Sequence, residues 1–185
     1  MKKLFLVLSM SLLCFLVSCS DEDDPFLITN DRVGKLTKDI KINELETLYA
    51  DDSLVNQPLN PQYVDQGTDI EIYGKEGNLM LVLQPVQEFD TTSTIGNIQI
   101  VDPRFKTKKG LNIESSFGDI VENYSISRIE NTLSSAVVFI DEINAYISID
   151  KKNLPAALRF DTDSKIEKSQ IPDDAKFKYF MIGWN

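Results

Sequence analysis

The feature that most constrains the fold is one arrangement of apolar residues that occurs twice along the chain. Apolar residues follow each other at helical spacing in two segments: Ile42, Leu45, Leu48 and Tyr49, and later Phe117, Ile120, Val121 and Tyr124. Residues spaced by three or four lie on one face of a helix, so each segment predicts a helix with one buried face. Three positions of the first set match the second at a constant offset of 75 residues. Gly34 precedes the first predicted helix and Gly110 the second. Ser115 or Ser116 is positioned to cap the second helix, with Asp119 in its first turn.

Each predicted helix is followed by a β-hairpin pattern and then by a later strand. Alternating apolar residues, rich in β-branched types and bounded by Gly, Asn or Asp, indicate strands. The predicted strands are 69–73, 79–83 and 97–101 in the first copy, and 136–140, 145–149 and 177–184 in the second. The predicted turns and loops are 56–66, 74–78, 84–94 and 141–144. We therefore predict an α+β fold of two similar modules, 31–102 and 103–185, each a helix packed on a small antiparallel sheet.

The N-terminal segment has the pattern of an export signal. Two lysines precede an apolar run over residues 4–17, which is shorter than the about 20 residues that a membrane-spanning helix needs. The run ends in Leu16-Val17-Ser18-Cys19, which resembles the lipobox of bacterial lipoproteins. The resemblance implies that 1–18 is a cleaved signal peptide and that Cys19 carries diacylglycerol, usually with an acylated amine. The alternative is an ordinary signal peptide, with Cys19 an unmodified thiol.

Acidic residues follow the cysteine directly. The sequence Ser20-Asp21-Glu22-Asp23-Asp24 resembles the acidic export signal of surface lipoproteins in some Gram-negative bacteria. That resemblance implies an outer-membrane location with exposure at the cell surface. The alternatives are a solvated tether that like charges extend and a calcium-binding patch, although no glycine-turned ligand loop follows. We assign residues 19–30 to a lipidated acidic tether.

Composition excludes much chemistry. Histidine is absent, and the two cysteines are Cys14, which leaves with the signal peptide, and Cys19. The folded part therefore has no thiol and no disulfide, and Ser-His-Asp triads, Cys/His pairs and the usual zinc sites are excluded. The formal net charge is −10 and becomes −12 when Lys2 and Lys3 are removed. Contacts with phosphate supply most nucleic-acid affinity, and a strongly acidic protein repels phosphate, so we expect no nucleic-acid partner. We also expect no metal and no cofactor.

Two short motifs have the spacing of known chemical sites. Ser148 and Lys151 have the S-x-x-K spacing of Ser/Lys acyl enzymes, but Ser148 lies in a predicted strand and no K-T-G segment exists. Residues 161–164, Asp-Thr-Asp-Ser, begin like a calcium loop. Ile166 and Pro172 stand where an EF-hand needs Gly and Glu, so we expect turn residues, with a weak non-standard site as the alternative.

Carboxylate pairs, one tryptophan and one basic cluster are the remaining candidates. A glycosidase needs two carboxyl groups about 5–9 Å apart across a cleft, which neighbours in exposed turns rarely achieve. Trp184 is expected in the core or at a sheet edge, with a binding anchor as the alternative. The basic cluster is expected to be a solvated loop, with a contact for an acidic partner or lipid head group as the alternative. The pairs are Asp51/Asp52, Asp141/Glu142 and Asp173/Asp174, and the cluster is Arg104, Lys106, Lys108 and Lys109.

The repeated segments, Gly34 to Tyr49 and Gly110 to Tyr124, resemble loosely the tandem modules of β-lactamase-inhibitor proteins and outer-membrane-assembly lipoproteins. That resemblance implies a sheet face that binds another protein. Residues 107–110 and 179–184 also resemble a group of uncharacterised bacterial lipoproteins with no assigned activity. We therefore expect a non-enzymatic, lipid-anchored envelope protein that binds a partner protein or organises the envelope. The alternatives are a carboxylate-dependent enzyme acting on glycans and a small-ligand carrier.

Overall fold

A computed structural model describes residues 24–56, 69–160 and 162–184. The predicted signal peptide, residues 1–18, and the predicted lipidation site at Cys19 lie outside the described residues. The strands within the described part are β1 Leu27–Ile28, β2 Arg32–Val33, β3 Leu36–Thr37, β4 Ser53–Asn56, β5 Ile70–Tyr73, β6 Leu79–Pro85, β7 Ile95–Ile100, β8 Lys106–Thr107, β9 Arg128–Asn131, β10 Ser135–Ile140, β11 Ala145–Asp150 and β12 Phe177–Gly183. The helices there are α1 Leu45–Leu48, α2 Phe117–Asn123 and α3 Ala156–Arg159, with 3₁₀ turns at Ile42–Glu44, Asp141–Ile143, Lys151–Asn153 and Lys168–Gln170.

The strands of the described residues form a main sheet of eight strands and a small sheet of four. The main sheet has the order β4-β5-β6-β7-β12-β11-β10-β9, and every neighbouring pair in it is antiparallel. The small sheet has the order β3-β2-β1-β8, in which β1 and β8 are parallel. The protein is therefore a mixed α+β fold in which sheet dominates.

The two halves of the chain meet within one sheet. Strand β7 of the first half pairs with β12 of the second, with Ile98 opposite Ile182 and Ile100 opposite Phe180. The prediction of two modules with a sheet each is therefore not confirmed, because a strand from 31–102 and a strand from 103–185 pair with each other in one sheet. The helical content is also lower than predicted, since Ile42–Glu44 is a 3₁₀ turn and α1 has one turn only.

One face of the main sheet carries the core. Side chains alternate between fully buried and partly exposed along β5, β7, β10 and β11, as expected for a sheet covered on one face. Leu45 and Tyr49 from the α1 region, Phe117 and Ile120 of α2, and Val33 of the small sheet belong to the same buried cluster as the sheet. We call this side the covered face and the opposite side the open face.

The second predicted helix forms as expected. It begins after Ser116, whose backbone N–H and hydroxyl donate to the Asp119 carboxylate at 2.7 and 3.0 Å. This contact occupies a backbone donor that the helix itself leaves free. Phe117 and Ile120 are buried, while Val121 is partly buried against the core. The predicted amphipathic face is therefore the packed face.

The fold begins earlier than residue 31. Leu27 and Ile28, inside the range assigned to the acidic tether, form β1 and are 6% and 1% exposed. The side chain of Arg104 lies over the ring of Phe26 at 4.5 Å and contacts the Met80 sulfur at 3.7 Å. The described N-terminus therefore lies at the end of the main sheet where β6 begins.

Candidate functional site

One transverse row of side chains crosses the open face of the main sheet from edge to edge. Strand register places eight residues directly beside one another, one from each strand of that sheet. We call this set the open row, which in sheet order is Val55, Glu71, Val82, Gln99, Met181, Tyr146, Phe139 and Arg128. Val55 and Arg128 at the two edges are exposed, and the six between them are partly exposed. Neighbours in such a row are close enough to touch, so they form a continuous surface.

The β9 end of the open row is aromatic and cationic. The rings of Phe139 and Tyr146 stack with centroids 5.9 Å apart, and the Arg128 guanidinium carbon lies 3.5 Å from the Phe139 centroid. Arg128 also donates its Nε–H to Glu130 at 2.8 Å. The Tyr146 hydroxyl donates to the Asn97 side-chain oxygen at 3.0 Å, and burial raises the pKa of this tyrosine. These side chains are thus held in defined positions, which lowers the entropy that binding would cost.

The β5 end of the open row is acidic. Glu71 accepts a hydrogen bond from the Tyr73 hydroxyl at 2.7 Å, and this bond to a carboxylate raises the pKa of Tyr73. Val82 and Met181 give the middle of the row an apolar character, and Gln99 adds an amide. The open row therefore combines aromatic, aliphatic and amide side chains with a charged residue toward each end.

The S-x-x-K motif does not assemble. Ser148 lies within β11, where it pairs with Tyr179 and Val137, and Lys151 lies in the following 3₁₀ turn. Lys151 is 3% exposed, whereas the partly exposed Ser148 belongs to the open face. A Ser/Lys acyl enzyme needs the two side chains one helical turn apart, and a strand does not provide this.

Only part of the calcium-loop motif lies within the described residues. Asp161 lies outside the described residues, while Thr162, Asp163 and Ser164 are exposed. Ile166, at the position where an EF-hand needs glycine, is 1% exposed and belongs to the core. Among residues 24–56, 69–160 and 162–184, no group of three or more acidic residues is arranged to hold a metal ion.

The carboxylate pairs lie in three different connections. Asp51 and Asp52 precede β4, Asp141 and Glu142 form the turn between β10 and β11, and Asp173 and Asp174 precede β12. Three of these groups form ion pairs with lysines from elsewhere in the chain. The pairs are Asp51 with Lys75 at 3.5 Å, Asp52 with Lys35 at 3.3 Å, and Glu142 with Lys109 at 2.8 Å.

The basic cluster is divided between intramolecular contacts. Arg104 forms a 2.6 Å ion pair with Asp102, and its hydrogen bonds lower the pKa of that carboxyl group. Asp102 is 6% exposed and also accepts from Asn78, so it fixes the loop after β7 against the β5–β6 turn. Lys109 donates to the Asn123 carbonyl and lies over the Tyr124 ring at 4.3 Å. The cluster is therefore not one continuous cationic patch.

A surface cleft of about 540 Å³ lies beside the small sheet. Its lining includes the charged side chains of Asp31, Arg32, Lys38, Asp39 and Lys108. A small-molecule carrier typically encloses its ligand in a mostly apolar cavity, and this cleft does not have such a lining. Trp184 is 4% exposed within the core cluster, so its ring is not available as a binding anchor.

Comparisons with known proteins give little beyond the fold. No protein-family model matches the chain, and no curated protein matches it. The crystal structure of the uncharacterized protein yfeY from Escherichia coli is similar, with a TM-score of 0.50 and 15% sequence identity. The match covers 84% of this chain and 98% of that chain. At this identity the likeness shows a shared fold alone. In the part of the chain that the structure describes, no helix is long and apolar enough to cross a membrane.

Proposed function

We propose that the protein is a lipid-anchored protein of the bacterial outer membrane that binds another envelope protein through its open face and has no enzymatic activity. The observation that carries the proposal is the open row, whose side chains are mostly apolar and whose aromatic end is held by ring stacking and hydrogen bonds. Aromatic side chains held in place and partly exposed are typical of the residues that dominate binding energy in protein interfaces. The acidic segment 20–24 supports a location at the cell surface.

We also infer that the two halves descend from one repeated unit. Each half contains a helical segment, α1 or α2, followed by four consecutive antiparallel strands. The strand order is symmetric about the junction of β7 and β12. The constant offset between the predicted helix faces supports the same inference. Each of the two copies of this unit would then supply one half of the open face.

Lipid attachment at Cys19 is the first part of the proposal to test. We expect the mature protein to begin at Cys19 and to carry acyl chains, which would be detected by mass spectrometry and by labelling of cells with radioactive palmitate. Two or three chains at about 0.8 kcal/mol per buried CH₂ hold a protein stably on a membrane. Cys19→Ala should remove the label completely, whereas Cys14→Ala, at the other cysteine, should retain it. An unmodified thiol at residue 19 of the mature protein contradicts the anchoring proposal.

Binding through the open face is the second part. We expect p-benzoylphenylalanine in place of Met181, in the full-length protein in intact cells, to give one discrete photoadduct. Tyr146→Asp should reduce that adduct about tenfold or more, because it places a carboxylate in the centre of the apolar surface and removes the ring stacked on Phe139. The same photoreactive residue at Leu133, 84% exposed in the β9–β10 turn, is the control. Equal labelling from both positions contradicts the proposal.

A further inference from the structure

We propose that the protein bound by the open face is a second copy of this chain, related by a two-fold axis that runs parallel to the strands between β7 and β12. This inference rests on the proposed function, because it names the partner of the same surface. A two-fold interface uses one patch on both subunits, so the patch must be complementary to itself.

The charges at the two ends of the open row are complementary under this axis. The axis exchanges β5 with β10, so Glu71 of one copy faces Phe139 of the other. The Arg128 guanidinium carbon lies over the Phe139 ring, 3.5 Å from its centroid, and therefore occupies the place that Glu71 of the other copy approaches. Its Nε–H is donated to Glu130 of the same chain, so the terminal N–H groups are the ones that would donate to Glu71. The contact is formed twice by symmetry. A charge-assisted hydrogen bond between carboxylate and guanidinium is stronger than one between neutral groups.

The middle of the row is also self-complementary. The axis exchanges β6 with β11 and β7 with β12, which places Val82 against Tyr146 and Gln99 against Met181. These contacts are between apolar groups or between an amide and an apolar group, and no like charges meet in the row. This matters because the chain has a formal net charge of −10, so two copies carry a net repulsion that a contact surface must not add to.

A two-fold axis perpendicular to the strands fits less well. That axis would place Glu71 against Glu71 and Arg128 against Arg128, which is unfavourable at both ends. It would also put the described N-termini of the two copies at opposite ends of the pair. The strand-parallel axis puts both N-termini at the same end, where β6 begins. Four residues lie between Cys19 and Asp24, and these five steps along the chain reach at most about 17 Å. The strand-parallel axis therefore lets both copies be anchored in one bilayer from the same end of the pair.

The open face is large enough for a stable dimer. Eight strands at the usual spacing span about 34 Å, and strands of about six residues are about 20 Å long. Contact over this area would bury about 1,300 Å² in total, which lies within the range of specific protein interfaces. Two sheets that pack face to face cross at about 30°, which the twist of each sheet provides.

The identity of the photoadduct at residue 181 tests the inference. We expect an adduct with twice the mass of the mature protein, in which mass spectrometry finds peptides of this chain only. An adduct with a different protein overturns the second-copy inference and leaves the proposed function standing. No discrete adduct overturns both.

Charge reversal provides an independent test in the same cells. Glu71→Arg and Arg128→Glu should each reduce the dimer adduct about tenfold, because each brings like charges together across the interface. The double variant Glu71→Arg/Arg128→Glu should restore the adduct, since the pair is then exchanged rather than lost. Leu133→Glu, which adds a negative charge away from the open face, should leave the adduct unchanged. A double variant that crosslinks no better than the single variants overturns the inference, and circular dichroism establishes that each variant is folded.

Discussion

Replacing Gly34 with alanine is expected to lower the free energy of unfolding by about 3 kcal/mol or more. Gly34 has φ +57°, where a side chain costs about 1–2 kcal/mol. A Cβ at this position would also lie 2.4 Å from the Pro25 carbonyl oxygen and 2.7 Å from a ring carbon of Phe105. Phe105 is 2% exposed and packs edge-on against Phe26, so the ring cannot move without disturbing the core, and such overlap costs about 1–3 kcal/mol more.

Gly77 provides the matched control for this prediction. It has φ +79°, but a Cβ there would meet no atom within 4 Å. Gly77→Ala should therefore show the backbone cost alone, about 1 kcal/mol. Urea denaturation followed by circular dichroism gives both values. If the two variants lose equal stability, the close approach of Pro25 and Phe105 is not what requires glycine at residue 34.

Thr107→Val is expected to cost about 2–4 kcal/mol, although valine has nearly the same shape. The Thr107 hydroxyl oxygen accepts hydrogen bonds from the Tyr124 hydroxyl at 2.7 Å and from the Leu111 backbone N–H at 3.1 Å, and all three residues are buried. Valine leaves two buried donors without this acceptor. Each unsatisfied donor costs about 1–3 kcal/mol, because it has lost its water and gains no partner.

Thr107→Ser separates the hydrogen bonds from packing. Serine keeps the acceptor oxygen and loses one methyl group, so the expected loss is about 1 kcal/mol. Both variants are measured by urea denaturation at the same pH. A serine variant as unstable as the valine variant would mean that the methyl contacts, and not the hydrogen bonds, hold α2 to the loop after β8.

Much of the second half of the fold could be predicted from local pattern. The alternation over residues 136–149 indicates a hairpin, and β10 and β11 pair there with Ala136 opposite Ile149. The turn between them ends at Asn144, which has φ 51°, a conformation that asparagine tolerates better than most residues. The spacing of Phe117, Ile120 and Tyr124 likewise predicts a helix that the structure contains. In each case the signal lies within about a dozen consecutive residues.

The remaining elements depend on contacts between distant parts of the chain. The strands of the small sheet have two residues each, which is too short for a periodic pattern. β4 and β9 are edge strands of four residues, Ser-Leu-Val-Asn and Arg-Ile-Glu-Asn, which lack a run of alternating apolar residues. The parallel pairing of Leu27 with Lys106 joins segments far apart in sequence. The junction of β7 with β12 is equally non-local, and without it the chain is expected to form two separate sheets.

The open row could not be predicted for a related reason. Within its own strand, each of these residues is one of the alternating exposed or partly exposed positions and carries no distinguishing motif. Only the register between strands brings the eight residues together. That register includes irregularities at Ile72/Tyr73, Gln84/Pro85 and Ser148/Ile149, which shift the side chains that follow. The sequence predicted a sheet face that binds protein, through family resemblance, but not which side chains form it.

The position of Trp184 makes the junction of the two halves observable by fluorescence. This sole tryptophan of the chain is buried, and its backbone N–H donates to the Gly96 carbonyl at 2.7 Å, directly beside the pairing of β7 with β12. Its indole emission should be blue-shifted while the halves are joined and red-shifted once water reaches the ring. A red shift that precedes the loss of the far-ultraviolet signal would mean that the chain opens along this line before either half unfolds.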